Sequence, residues 1–217
     1  MTWARMTQPP QPPGTTPGGP GLPRGRPRSL SARLAILEAA AELLLEHGMN
    51  AVSMNSVAER AGVSKATIYR WWPSKEVLSL EAVLERWNDS SLAPGGPDTG
   101  SLRADLYGRV RPWASVLRPP FARVIAAFVA HARSNAAFGA LYTERLLMPR
   151  RDAARPIFLR AIARGDIPAD TDVECALDML YGPIYHRLLH GHAPIDERFI
   201  RGVVETVADA LESRVRP

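Results

Sequence analysis

Cysteine is nearly missing from this 217-residue chain, where Cys175 stands alone. One thiol excludes an intrachain disulfide framework and any zinc site built on several cysteines. Its apolar neighbours predict a small buried hydrophobe, not a redox switch. Lysine is almost as scarce, since only Lys65 and Lys75 are lysines among the 27 basic residues. No apolar run reaches the length of a bilayer-spanning helix, and the N-terminus has no apolar signal segment. The expectation is a cytoplasmic protein with no membrane partner. Strand-like alternation is also missing, as are a nucleophile elbow, a glycine-rich phosphate loop before a helix and a placeable pair of catalytic acids. The chain is therefore read as all-α, as no enzyme, and as needing no cofactor.

What is present is ordinary globular material, 46% hydrophobic and 23% charged, enough for one large domain or two small ones. The net charge of +5 permits a polyanionic partner without demonstrating one. Residues 1–28 form a Pro/Gly-rich tail that cannot pack, predicted to be disordered and to end in a basic arm containing Arg26 and Arg28. Such an arm suits phosphates or a minor groove, or is a solvated linker. A first helix is expected from Ser31 to His47, with Leu34, Leu37, Ala40, Ala41, Leu44 and Leu45 inward.

The two lysines fall in the most informative stretch, Ser53 to Lys75. Ser53 is placed to cap a short helix ending at Ala61, Gly62 supplies the turn, and Ser64 caps the next helix. With side chains rotating by roughly 100° per residue, Ile68 and Trp72 share an inward face. Lys65, Thr67, Tyr69 and Arg70 remain for the outside, a hydroxylated, aromatic and cationic set suited to phosphates and base edges. Ser74 caps a fourth helix to Trp87, placing Lys75 in a first turn that disfavours a cation unless an anion binds there. This is the sequence form of a DNA-binding helix-turn-helix. Ser53, Asn55, Ser64, Trp71 and Lys75 join Arg26, Arg28 and the outward set as candidate DNA contacts.

The run Val57-Ala58-Glu59-Arg60-Ala61-Gly62-Val63-Ser64-Lys65-Ala66-Thr67-Ile68-Tyr69-Arg70-Trp71-Trp72-Pro73-Ser74-Lys75 resembles the TetR/AcrR transcriptional regulators. Trp72 replaces the usual Phe, and Trp71 the usual His or Tyr. The likeness is specific over Ser31 to Trp87 and one of architecture beyond it. It implies an N-terminal three-helix reading domain (29–88), a hinge (89–100) and a C-terminal helical ligand-binding and dimerisation domain (101–217). It implies as well a double-stranded operator, a small-molecule effector and a homodimer.

In the C-terminal part, helical stretches are expected over Leu102–Leu117, Phe121–Ser134, Ala136–Leu147 and from Pro149 to Ala163, the last kinked or split at Pro156. Trp113, Phe128, His131, Tyr142, Phe158 and Met179 are candidates to line a cavity, with plain core packing as the alternative; the ligand is an implication of the resemblance. The stretch Asp172 to His190 is apolar nearly all round and so calls for cover on two faces. Paired with Asp196 to Arg214, it predicts a four-helix interface using Tyr181, Tyr185, Leu188, Leu189, Val203, Val207 and Leu211. His186 and His190, at i and i+4 with His192 nearby, have metal-ligand spacing. No carboxylate or cysteine completes the set within that run, so no metal is assigned. The alternative to a DNA reader is a helical ligand or metal sensor without sequence-specific DNA binding.

Overall fold

The computed structural model describes residues 26–87 and 98–215, and every regular element among them is helical. The N-terminal unit contains α1 (Arg26–His47), a 3-10 turn (Met49–Ala51), α2 (Met54–Ala61), α3 (Lys65–Tyr69) and α4 (Lys75–Trp87). Because α1 already starts at Arg26, Arg26 and Arg28 belong to its first turn and not to a flexible arm. Pro27 is accommodated there because first-turn N–H groups have no intrahelical acceptor. The tail before residue 26 lies outside the described residues.

Within the N-terminal unit α1 is covered by α4, α2 and the 3-10 turn. That wide cover buries Ile36, Ala39 and Leu43 along with Leu37, Ala40 and Leu44. Leu34, expected inward, is instead 44% exposed. Ile68 and Trp72 close the unit from the side of α3, each 1% exposed or less. Trp72 Nε1 donates to Glu81 on α4 at 2.9 Å, and Glu81 also pairs with Arg33 on α1. One carboxylate thus ties three helices together.

The C-terminal unit contains α5 (Leu102–Val116), α6 (Phe121–Ser134), α7 (Ala136–Tyr142), a π turn (Thr143–Leu147), α8 (Met148–Arg164), α9 (Val173–His190) and α10 (Glu197–Glu212). Side-chain oxygens start several of these helices: Asn135, Asp172 and Asp196 accept from the N–H groups of Phe138, Cys175 and Phe199 at 2.9, 3.0 and 2.8 Å. No break occurs at Pro156, since α8 runs through it. The irregularity lies earlier, where the Met148 N–H reaches back to the Thr143 carbonyl. Pro149 has no N–H to give and its ring crowds the carbonyl of Arg145, so a wider turn at that place relieves the clash.

Packing of α10 on α5 and α9, and of α8 on α5 and α9, surrounds a core that includes Trp113, Phe128 and Phe158. Cys175, expected inside, is exposed. Of the predicted hinge, residues 89–97 lie outside the described residues. Its far end is pinned: fully buried Asp105 accepts from the Thr99 N–H at 2.8 Å and the Thr99 hydroxyl at 2.7 Å. The two units touch through α4 on α7 and through α1 and the 3-10 turn on α6.

Candidate nucleic-acid interface and ligand recess

Local chemistry builds the α2–α3 corner. Ser53 accepts from the Ser56 N–H at 3.0 Å while the Ser53 N–H donates to Ser56 Oγ at 3.0 Å, a reciprocal cap at the start of α2. Gly62 ends α2 with φ 65° and ψ 33°, a left-handed conformation that a side chain would strain. Two residues later Ser64 Oγ accepts from the Thr67 N–H at 3.2 Å and lies 3.0 Å from the Thr67 hydroxyl. With its inner side held by Ile68, α3 leaves Lys65 and Arg70 exposed and Tyr69 55% exposed. Asn55 is exposed on α2, Thr67 is half-buried, and Trp71 is half-buried against Trp72 at 5.6 Å. Lys75 stands in the first turn of α4 beside Glu76, an acidic neighbour that suits the helix start.

The cations of this unit divide cleanly. Arg33 pairs with Glu81, Arg60 with Glu42 and Glu46, and Arg86 with Glu38. Lys65, Arg70 and Lys75 form no ion pair among the described residues. The three unpaired charges all lie on α3 and the turn into α4, where Tyr69 and the hydroxyls of Ser64 and Thr67 accompany them. A surface of this kind offers cations and donors to a polyanion without first breaking internal salt bridges.

The aromatic candidates for a cavity are mostly core. Trp113, Phe128 and Phe158 are 1% exposed or less, and the recess described next does not include them. Arg150, itself 3% exposed, stacks on Trp113 at 4.5 Å, and Tyr181 packs edge-on to the same ring at 5.5 Å. His131 lies 4.8 Å from the Phe138 ring. Of the predicted set only Tyr142 lines the recess of about 480 Å³ between α6, α7, the π turn and α9. Its other walls include Val129, Ala132, Gly139, Tyr185 and Leu189. Gly139 is required for the approach of α7 to α6, because a Cβ there would lie 2.6 Å from the Ala132 carbonyl oxygen. The Tyr142 and Tyr185 hydroxyls are 3.3 Å apart, and Arg150 Nη1 donates to Tyr185 Oη at 3.4 Å. Burial first, then Tyr185, pushes the Tyr142 phenol well above its usual range, so it stays protonated.

The predicted interface residues also shift in role. Tyr181, Leu188 and Leu211 are buried in the chain's own core, and Val203 and Val207 are 7% and 2% exposed. Leu189 is the exposed member, at 46%, and Tyr185 is half-buried in the recess wall. A second groove, about 800 Å³ between α9 and α10, is lined by Met179, Pro183, Phe199, Gly202 and Thr206, with Val203 and Val207 as part of its wall. Met179, expected in a cavity, is there instead. The rings of His186, His190 and His192 lie 4.6, 5.1 and 6.4 Å apart, and among the described residues no three side chains are arranged to hold a metal ion. Nor is any single described helix long and apolar enough to cross a membrane.

Fold and surface together define a two-part helical protein with a helix-turn-helix reading head. Residues 36–82 match the family model of bacterial regulatory proteins of the tetR family, and residues 96–207 that of a tetracyclin repressor-like C-terminal domain. An uncharacterized HTH-type transcriptional regulator of Bacillus subtilis, YdeS, is 35% identical over 83% of this chain and 90% of its own length. A DNA-binding transcriptional repressor TetR of Mycobacteroides abscessus is 32% identical over 89% of this chain and 97% of its own. The crystal structure of the TetR family transcription regulator SCO0332, 35% identical, superposes with a TM-score of 0.67 over 83% of this chain and 98% of that one. The chain belongs to the TetR family of transcriptional regulators, and its helix-turn-helix is the family's DNA-binding domain.

Proposed function

We propose that this regulator is a repressor that binds a palindromic operator as a homodimer in the cytoplasm and leaves it when a small molecule fills the C-terminal unit. The observation that carries the DNA half is the division of charge: from residue 30 to 86 of the reading head, Lys65, Arg70 and Lys75 are the lysines and arginines that no carboxylate engages. Thr67, Tyr69 and Lys75 hold phosphates and set register, helped by the free N–H groups at the start of α4. Arg70, Lys65 and Asn55 meet base edges in a major groove. Ser53 and Ser64 hold the two helices at their working angle, and Trp71 flanks the phosphate contacts. Arg26 and Arg28, at the start of α1, are further contacts to the duplex.

One five-residue helix reads few bases, so specificity requires a second copy, with half-sites about 34–36 Å apart or a multiple of that. The α9–α10 groove, with Met179, Pro183 and Gly202 open on it, supports that second copy docking there. The recess supports the effector. Its walls α6 and α7 are the helices that touch α1, the 3-10 turn and α4, so a ligand favouring one α6–α7 position would alter the spacing of the reading heads.

A mobility shift with the DNA flanking the protein's own gene tests the reading. Retardation that persists against competitor DNA and weakens with salt is expected. No retardation even at low salt would favour a helical sensor that does not use DNA.

A further inference from the structure

Resting on the proposed ligand-responsive role, the recess also carries information about what enters it. Arg150 fixes the polarity of the hydroxyl chain, because a guanidinium only donates. With Arg150 Nη1 donating to Tyr185 Oη at 3.4 Å, the two phenols bring two hydrogens to a contact of 3.3 Å that uses one of them. The other hydrogen has no acceptor among the described residues, and both tyrosines line the recess. Whichever phenol donates within the pair, the cluster offers the recess one O–H, backed by a buried cation. Most of the remaining wall is apolar, from Val129, Ala132, Gly139, Leu147 and Leu189, with Thr143 and Arg133 as its other polar members.

We propose that the recess binds a small, largely apolar organic anion whose carboxylate-like oxygen accepts from the Tyr142–Tyr185 pair. An apolar body replaces water against α6 and α9, and the anionic oxygen completes the hydroxyl chain. A neutral molecule without an acceptor would leave the spare hydrogen unsatisfied, and an amine would bring a donor to a donor while facing Arg133, with Arg150 behind Tyr185. The volume, about 480 Å³, suits a ligand of two or three rings or a comparable aliphatic chain.

Two fluorescent probes that share an apolar body separate these terms. 8-Anilinonaphthalene-1-sulfonate carries an anionic acceptor, and N-phenyl-1-naphthylamine lacks it. The full-length protein is expected to bind the sulfonate roughly tenfold more tightly, the effect of one charge-assisted hydrogen bond. In a Tyr142→Phe/Tyr185→Phe variant, checked for folding by circular dichroism, the preference should fall to within about twofold while the neutral probe binds as before. Failure of both probes to bind, equal binding of the two by the wild type, or a tenfold preference surviving in the variant overturns the proposal. A mobility shift with bound sulfonate reads the regulatory role separately. Probe bound with the expected preference while DNA stays bound leaves the recess chemistry standing and removes the ligand-responsive reading.

Discussion

Arginines fasten helix to helix in both the reading head and the body, but the α3 surface of the reading head keeps its cations out of such pairs. In the body, Arg103 on α5 is held by Glu205, by Asp209 at 2.6 Å and by Glu212 at 2.8 Å, all from α10. Those hydrogen bonds, Asp209's first, push its pKa above the usual arginine range. Arg151 and Arg155 on α8 share Glu174 on α9 in the same manner, with Asp178 added for Arg151. On α3 and at the start of α4 the cations have no such partners among the described residues. The paired arginines of both units fasten one helix to another; the cations on α3 and at the start of α4 are left for something outside the chain. Net charge conceals this difference, because both kinds of cation count alike toward +5.

The largest expected effect comes from removing the support under the unpaired cations. Trp72→Ala deletes a side chain 1% exposed and strips Glu81 of a donor. It should cost about 3–5 kcal/mol in denaturant unfolding, read by the loss of α1–α4 structure, and take DNA binding with it. Next, Ala66→Glu places a carboxylate one helical turn before Arg70 and gives the α3 surface the kind of ion pair it lacks. Affinity for duplex DNA should fall by more than about tenfold, through the lost cation and the repelled phosphates, with the unfolding midpoint almost unmoved. Lys75→Ala should weaken binding to all duplexes alike and reduce the salt slope by about one unit, whereas Arg70→Ala should relax sequence preference at one position at a cost of about 1–3 kcal/mol. Arg103→Ala is the converse experiment. It should lower stability by on the order of 1 kcal/mol or less and leave DNA affinity unchanged.

The smallest expected effect is a pH dependence confined to the body. Hydrogen bonds from Arg155 and then Arg151 hold the Glu174 carboxyl below its ordinary value of 4.5. Its folded-state pKa is therefore depressed. The contribution to stability is present above the ordinary value and is lost as pH falls below it through the folded one. Thermal melts between neutral pH and about pH 3 should show an acid loss that Glu174→Gln reduces. DNA affinity measured above pH 5 should not follow it.

Legibility followed the range of the forces involved. Ser53, Gly62 and Ser64 act within three or four residues of themselves, so the corner they build was readable residue by residue. The inward side of α1 was not, because α4 and α2, far along the chain, decide that Ile36 is covered and Leu34 is not. The recess escaped for a different reason. Large aromatics such as Phe128 and Phe158 fill space, and the open volume lies where Ala132 and Gly139 leave it, a signal that a search for aromatics passes over. The interface set is legible only in part: Tyr181 and Leu211 have the right period, but within one chain they are already buried, Tyr181 against Trp113 of α5. Pro156 looked like the breaking point, yet the backbone widened ahead of Pro149.

The contact at Gly139 bears on how a push would travel. Side chains normally form a compliant layer between helices, able to change rotamer and absorb small displacements. Where α7 crosses α6 that layer is missing, since backbone faces backbone and even a methyl group would meet the Ala132 oxygen at 2.6 Å. The two helices are therefore joined there as stiffly as a hinge-pin joins two plates. In the ligand-responsive reading proposed above, a displacement on the recess side would reach the α4 and α1 contacts with little of it taken up on the way, and softening that joint would be the cheapest means of deafening the regulator.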